Sequence, residues 1–381
     1  MLIHPLTPKY ENGELCVSAR IELEKPPYDF PKILWFRFPE AHAHLVSDCP
    51  DGFAIALLST ALHRGEDIHV RGTLSPALTY GLNEFQYVQN LRKSHRYKPI
   101  QIHADGYKRG KSIGSKAAST FSGGIDSFYT VWSHIPQNEP IAGNELSYAI
   151  FVQGFDIGLH EQRMFDACRT AYQTLMAEWG IELVTARTNV RQFDKWNNWI
   201  SAATFATIGL GHIVSRGLSR YYVPANDEYA EYPKGAVATL ADALLSSESL
   251  LVIEDGAQLT RFEKTALLSH VPAAYNYLRT CSDKHNGLMN CCECGRCLNT
   301  MVALELSGAL QNFKTFPLPL QRSKLRTSVL AYPNRQLLLG YIQGALAQRR
   351  YDLAFDLSTK LLVNYTRWGR KWLGQKGAKN R

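Results

Sequence analysis

Leu15, Val17, Ala19, Ile21 and Leu23 alternate with Cys16, Ser18, Arg20, Glu22 and Glu24. That period-two pattern belongs to a strand with one buried face. Residues 33–38, 67–70 and 100–103 read as further short strands. Two helices fall among them, an apolar one over 53–63 closed by Arg64-Gly65, and an amphipathic one over 82–93. The glycine-rich, basic stretch 104–111 reads as a linker, so residues 1–115 are expected to form an N-terminal α+β domain. From residue 116 the rhythm changes. Apolar strands at 116–121, 148–153, 181–186, 220–223 and 250–253 alternate with helices at 161–179 and 195–215. Met164, Cys168, Ala171, Leu175 and Trp179 make one face of the first helix, and Gly180 and Gly217 stop the two. This is the signature of an α/β fold with a doubly wound parallel sheet, expected over 116–310. Residues 335–348 and 352–363 carry helical periodicity, so 311–381 is expected to be a C-terminal helical extension.

Ligands of such sheets bind beyond the carboxyl ends of the strands. The stretches 122–127, 154–156, 224–228 and 254–255 all fall there. In Thr120-Phe121-Ser122-Gly123-Gly124-Ile125-Asp126-Ser127 a short strand passes into a helix that continues Phe128-Tyr129-Thr130-Val131-Trp132. Two adjacent glycines let the backbone approach a ligand without a Cβ in the way. Amides at the helix start, with the positive end of its dipole, suit an anion. Ser122 and Ser127 add hydroxyls, and Asp126 is placed to hold magnesium against phosphate oxygens. Asp156 and Glu161 follow the second strand, Asp227 and Glu228 the fourth. Each either orients substrate or metal or is an ordinary loop acid, with Asp156 the first choice. In Thr260-Arg261-Phe262-Glu263-Lys264, which opens a helix, Arg261 and Lys264 either serve phosphates or form a surface ion pair. His42 and His44 stand as ligands or, in the favoured reading, as isolated surface histidines.

Cys281, followed after nine residues by Cys291-x2-Cys294-x2-Cys297, is a second cluster with metal-ligand spacing. Thiolates at i, i+3 and i+6 around a glycine, with a fourth from nearby, can close a tetrahedral zinc site. Asn290, Gly295 and Arg296 suit the tight turns around it. Cys292 either points away or takes the place of Cys291. An iron–sulfur site is weaker, because no cysteine follows Cys297. A redox or sulfur-carrying role stays open, since Cys-x-x-Cys pairs have low thiol pKa values. Structural zinc is the expectation.

Composition changes this picture in one place. At 381 residues, 45% hydrophobic and 20% charged, the chain has the makeup of a soluble globular protein of two or three domains. No apolar run reaches the length of a membrane span, and Met1-Leu2-Ile3-His4-Pro5 lacks a signal-peptide pattern. The expectation is a cytoplasmic protein with no membrane partner, whose eight cysteines are not paired as disulfides. Of the net charge of +8, Lys360, Arg367, Arg370, Lys371, Lys376, Lys379 and Arg381 carry +7 with no acid after Asp356. The charge is therefore a basic tail rather than a basic field. With Trp368 and Trp372 among its cations, 367–381 can bind a phosphate backbone and stack on bases. A solvated tail with its tryptophans packed back is the favoured reading, so nucleic acid is not the favoured partner.

The string Ser122-Gly123-Gly124-Ile125-Asp126-Ser127 resembles the pyrophosphate-binding loop (PP-loop) of the N-type ATP pyrophosphatases. With the cysteine cluster after it, the chain resembles the 7-cyano-7-deazaguanine synthase (QueC-like) family over about residues 116–305. The resemblance implies an adenine nucleotide α-hydrolase-like fold and a carbon–nitrogen ligase that splits ATP between its α and β phosphates. A carboxylate, 7-carboxy-7-deazaguanine first among them, would be adenylated. It would then join ammonia, or a protein or peptide amine as in the QueC-like branch of bacterial antiphage operons. ATP, Mg2+ and Zn2+ are the implied cofactors. Ser122, Asp126 and Ser127 would take the catalytic places. Gly123, Gly124, Ile125, Phe151, Val152, Asp156, Arg261 and Lys264 would bind nucleotide, and Cys281, Cys291, Cys294 and Cys297 would hold zinc. A homo-oligomer fits as well. This chain departs from the family in 115 residues before the resemblance and over 70 after it. Where the family carries its deazaguanine-binding segment, Asn226-Asp227-Glu228-Tyr229-Ala230-Glu231-Tyr232-Pro233-Lys234-Gly235 keeps only Tyr-Pro. The rival expectations are a PP-loop enzyme that thiolates or amidates tRNA, using Cys292, and a non-catalytic nucleotide-binding scaffold.

Overall fold

The computed structural model describes residues 1–92, 96–110, 114–194, 199–226, 228–229, 240–281, 287–329 and 335–379. Internal packing divides the chain into two units, Met1–Ser122 with Ser127–Ala257, and Gly123–Asp126 with Gln258–Arg381.

Ten strands of the first unit make one sheet. They are β1 (Leu2–Glu11), β2 (Glu14–Glu22), β3 (Ile33–Pro39), β4 (Ile68–Leu74), β5 (Ile102–Tyr107), β6 (Lys116–Thr120), β7 (Leu146–Gln153), β8 (Glu182–Thr188), β9 (Leu218–Pro224) and β10 (Leu251–Asp255), in the order β10-β9-β6-β7-β8-β3-β2-β1-β4-β5. Neighbours are parallel except β8–β3, β3–β2 and β2–β1. Within β6 to β10 the order reverses at β6, which has β7 on one side and β9 on the other.

The boundary expected after residue 115 does not coincide with this division. Strand β3 pairs with β8 through Phe36 opposite Thr188 and Arg37 opposite Arg187, so the first five strands extend the same sheet. The joint is stitched by side chains as well. The Trp35 amide donates to Asn189 Oδ1 at 3.0 Å, and Thr188 Oγ1 donates to the Trp35 carbonyl at 2.8 Å. Alternation marks a half-buried strand but not the sheet it joins. Strand β1 has no period-two alternation and carries Pro5 and Pro8, and its register with β2 shifts between Leu6 and Lys9.

Helices cover both faces of the sheet. On one, α1 (Asp51–Arg64) crosses α5 (Trp199–Ile213) at two glycines; α2 (Pro76–Arg92) shares the same core. A Cβ on Gly52 would lie 2.5 Å from the Gly209 carbonyl oxygen, so the two backbones touch there. On the other face, α3 (Ile125–Ser133) and α4 (Gln162–Glu178) bring aromatic rings to the sheet. Phe121 meets Phe128 and Tyr172, and Phe151 stacks on Phe165 at 4.8 Å. Cover on both faces explains why β7 is apolar almost without a break.

The second unit is helical: α6 (Arg261–Leu268), α7 (Pro272–Tyr277), α8 (Gly295–Leu306), α9 (Arg322–Thr327), α10 (Arg335–Ala347) and α11 (Tyr351–Lys379). The cysteine cluster and the C-terminal helices fall in this one unit, on both sides of the boundary expected at 310. Leu298 and Val302 of α8, Leu325, Leu338, Tyr341 and Leu357 form its core. Helix α6 starts on a capping box, Thr260 with Glu263. Helix α11 continues to Lys379, through the stretch read as a tail. Three polar residues of α11 are fully buried. Asp356 is paired with Arg322 and Arg326, Asn364 donates to the Ser328 carbonyl, and Lys360 donates to Asn299 Oδ1 at 2.7 Å. No helix among the described residues is long and apolar enough to cross a membrane.

Candidate functional site

The stretch 122–127 leaves β6 at the point where the strand order reverses, the position at which open α/β sheets bind ligands. Its turn is made by Gly123 at φ +78°, a conformation that a side chain would strain. Within the first unit Ser122 and Ser127 close on each other. The Ser122 amide donates to Ser127 Oγ at 3.1 Å, and the two hydroxyls lie 3.0 Å apart.

Within the second unit, Asp126 of the 123–126 stretch faces two cations. Asp126 is 7% exposed. Its Oδ2 lies 3.2 Å from Arg261 Nη1 and its Oδ1 3.5 Å from Lys264 Nζ. Lys264 is buried to 1% exposure, and its position one turn after Arg261 on α6 puts both cations on the same carboxylate. The Arg279 amide donates to the Gly123 carbonyl at 2.8 Å. Tyr341 of α10 packs edge-on against Phe262 at 5.5 Å. Burial pushes its hydroxyl pKa up, with Arg261 pulling it down and Asp126 adding to the rise. Arg261 and Lys264 thus set two basic side chains on one carboxylate beside the Gly123 turn, a chemistry that suits a polyanion.

Other strand-end residues are engaged elsewhere. Phe151 lies in the aromatic layer under α4 and Val152 in the main core, so their side chains are used in packing. Asp156 is exposed, and Glu161 accepts the Gly158 amide at 2.5 Å as part of a turn. Asp227 lies outside the described residues, as does most of 226–235, while Glu228 is half-buried. Asp255 accepts from Thr130 Oγ1 at 2.7 Å and faces His134 Nε2 at 3.0 Å, with Glu139 on the other ring nitrogen at 2.7 Å. Burial lowers the His134 pKa, but Asp255 and Glu139 outweigh it and raise it on balance. His42 faces Glu182 at 3.0 Å and His44 the Ala41 carbonyl at 2.9 Å.

The four expected cysteines do converge. The sulfurs of Cys281, Cys291, Cys294 and Cys297 all lie within 4.8 Å of one another. Four thiolates at ~2.3 Å from a tetrahedral zinc stand roughly 3.8 Å apart, so the cluster can hold a metal ion such as zinc. Backbone amides already point at the sulfurs. Cys291 donates to Cys281 Sγ at 3.3 Å, Cys294 to Cys291 Sγ at 3.2 Å, and Cys297 to Cys294 Sγ at 3.5 Å. Cys294 caps α8, whose positive end favours thiolate. Hydrogen bonds with Cys281 and Cys294, then burial, push the Cys297 thiol far above its ordinary range, a penalty that a divalent cation would remove. Cys292, at φ +59°, stands apart from the ring of sulfurs and lies 3.5 Å from the Asn290 carbonyl. It is fully buried, and burial raises its thiol pKa.

Asn290, whose sequence position suits a turn, is buried to 1% and binds on three sides. Its Oδ1 accepts the Thr280 amide at 2.9 Å, and its Nδ2 donates to the carbonyls of Leu278 at 3.0 Å and Thr315 at 3.1 Å. Arg279 and Tyr341 belong to no recognisable sequence motif. Their sole sequence signal is that Arg279 stands two residues before Cys281.

Comparisons with protein-family profiles, with curated proteins and with solved structures found no significant match.

Proposed function

We propose that this chain is a QueC-like PP-loop synthetase that forms AMP and pyrophosphate by adenylating a carboxylate, and then transfers the acyl group to an amine. The observation that carries this reading is the pairing of Asp126, beside the Gly123 turn, with Lys264 and Arg261. Breaking the α–β bond of ATP requires that charge on the departing pyrophosphate be neutralised and the attacking carboxylate be held in line. Lys264 and Arg261 supply fixed positive charge, and Asp126 keeps the two side chains aimed at one place. Amides at the start of α3 supply further donors for phosphate oxygens. A carboxylate oxygen attacks the α-phosphorus and pyrophosphate leaves. The amine nitrogen then attacks the acyl carbon, AMP leaves with the bonding electrons of the acyl–oxygen bond, and the surplus proton on nitrogen passes to solvent.

Both oxygens of Asp126 already face cations, so magnesium fits here as a companion of bound phosphates rather than as a free ion. Bound in that way, it would add to charge neutralisation on the phosphates. The four-cysteine centre fits a structural zinc. The first acceptor to try is 7-carboxy-7-deazaguanine, with ammonia or a protein or peptide amine as the second substrate. Against the thiolating alternative stands Cys292, whose burial and raised thiol pKa make it a poor nucleophile.

The test is exchange of labelled pyrophosphate into ATP, with and without the carboxylate. Wild-type protein should incorporate label only when carboxylate is present. Lys264→Met should lose the exchange and Cys292→Ser should keep it. Exchange that depends on Cys292 and not on Lys264 would overturn the reading.

A further inference from the structure

The polyphosphate-binding turn and the four-cysteine centre are joined by a short run of hydrogen bonds inside the second unit. Gly123 of the turn accepts the amide of Arg279 at 2.8 Å. Two residues further along the chain is the ligand Cys281, whose sulfur accepts the Cys291 amide at 3.3 Å. Between these points Asn290 fixes the backbone. It holds Leu278 and Thr280 on either side of Arg279, and its Oδ1 lies 3.8 Å from Cys297 Sγ. The Arg279 Nε donates to the Gly287 carbonyl at 2.7 Å, which tethers the same residue through its side chain. A second connection runs through packing. Helix α8, which carries Cys297, shares a core with α10, and Tyr341 of α10 lies against Phe262, next to Arg261.

We propose that metal binding at Cys281, Cys291, Cys294 and Cys297 and polyphosphate binding at Gly123, Asp126, Arg261 and Lys264 are thermodynamically coupled, with Asn290 as the positioning residue that links them. The inference rests on the polyphosphate reading of the site. Metal draws the four sulfurs together and fixes Cys281, and with it the 278–281 backbone that holds Gly123. Polyphosphate fixes Gly123 from the other end. Linkage requires that each ligand raise the affinity of the other by the same factor, and couplings of this kind run from about 5-fold to about 150-fold.

The experiment uses the full chain loaded with cobalt(II), whose thiolate-to-metal absorption reports on the four sulfurs, and sodium pyrophosphate as the probe. Pyrophosphate should shift the absorption bands with a midpoint equal to its calorimetric dissociation constant. At saturation it should raise cobalt affinity, measured against a competing chelator, by at least about 5-fold. Lys264→Met, exposed to the same solution complexation of cobalt by pyrophosphate, provides the baseline. Asn290→Ala should still take up one cobalt and bind pyrophosphate, but the bands and the cobalt affinity should no longer respond. Should that variant fail to fold, the contrast between wild type and Lys264→Met decides alone. Tight pyrophosphate binding with unchanged cobalt affinity overturns the coupling and spares the polyphosphate reading. Absence of pyrophosphate binding by the metal-loaded chain overturns both.

Discussion

Replacing Asp126 by Asn keeps the size of the side chain and removes the charge that faces Lys264 and Arg261. The two cations respond differently. The Arg261 side chain is 35% exposed and can turn to water, so its share is under about 1 kcal/mol. Lys264 is almost fully buried and cannot. Removing one member of a buried pair typically costs about 3–5 kcal/mol, because the other charge loses the partner it was buried against. The 3.5 Å separation is longer than the ~2.8 Å of a strong charge-assisted hydrogen bond, which puts the expected loss near the lower end, about 3 kcal/mol. Urea denaturation followed by fluorescence reads this directly. With an m-value of about 1–3 kcal/mol per molar urea, the midpoint should fall by about 1 M or more. Asp126→Asn/Lys264→Met should regain most of that stability, because the buried ammonium is removed along with the carboxylate charge it faces, and should still fail to exchange pyrophosphate. A single variant within about 1 kcal/mol of wild type, or a double variant no more stable than the single, would refute the electrostatic pairing.

Burial brings the Lys360 pKa down to about 8, against about 10.4 in an unfolded chain. The folded state therefore resists the charged form: stability should rise between pH 8 and pH 10, by about 3 kcal/mol at most, and be lost as pH falls through 8. Chemical denaturation across that window should show the rise in wild type, and Lys360→Met should abolish the contribution. Cys281→Ser should lower metal content measured by elemental analysis and weaken retention against a chelator, whereas Cys292→Ser should leave one metal per chain. Gly154 has φ +104°, and a Cβ there would lie 1.9 Å from the Thr188 carbonyl oxygen, so Gly154→Ala should lower stability by about 2 kcal/mol or more in a denaturant titration.

The alternation of strands and helices after residue 116 was legible because buried parallel strands need apolar residues on both faces. The five strands there fall within a few residues of where the pattern put them. Glycines at the ends of α1 and α4 were equally plain, since Gly65 and Gly180 both take left-handed conformations. The cysteine spacing carried its own geometry. Four sulfurs do gather, and the choice between Cys291 and Cys292 was left to the backbone at Cys292, which spacing does not encode. Tertiary pairing was harder to see. Strand β3 looks the same whether it closes a separate domain or pairs with β8, because half-burial is all its alternation reports. Arg261 and Lys264 were visible as cations at a helix start, but their convergence on Asp126 joins residues more than 130 positions apart. Asn290 and Arg279 act largely through backbone partners, which leave almost no mark in side-chain identity. Phe151 and Val152 show that side chains at a strand end can be taken up by the core, which leaves only their backbone groups to face a ligand.

The most direct measurement is the identity of the nucleotide products when the metal-loaded full chain is incubated with α-labelled ATP, magnesium, 7-carboxy-7-deazaguanine and ammonia. Cleavage between the α and β phosphates requires labelled AMP and an equal amount of pyrophosphate, both dependent on the carboxylate and absent with Lys264→Met. Labelled ADP with inorganic phosphate, or AMP formation that persists in Lys264→Met, would contradict adenylation at this site.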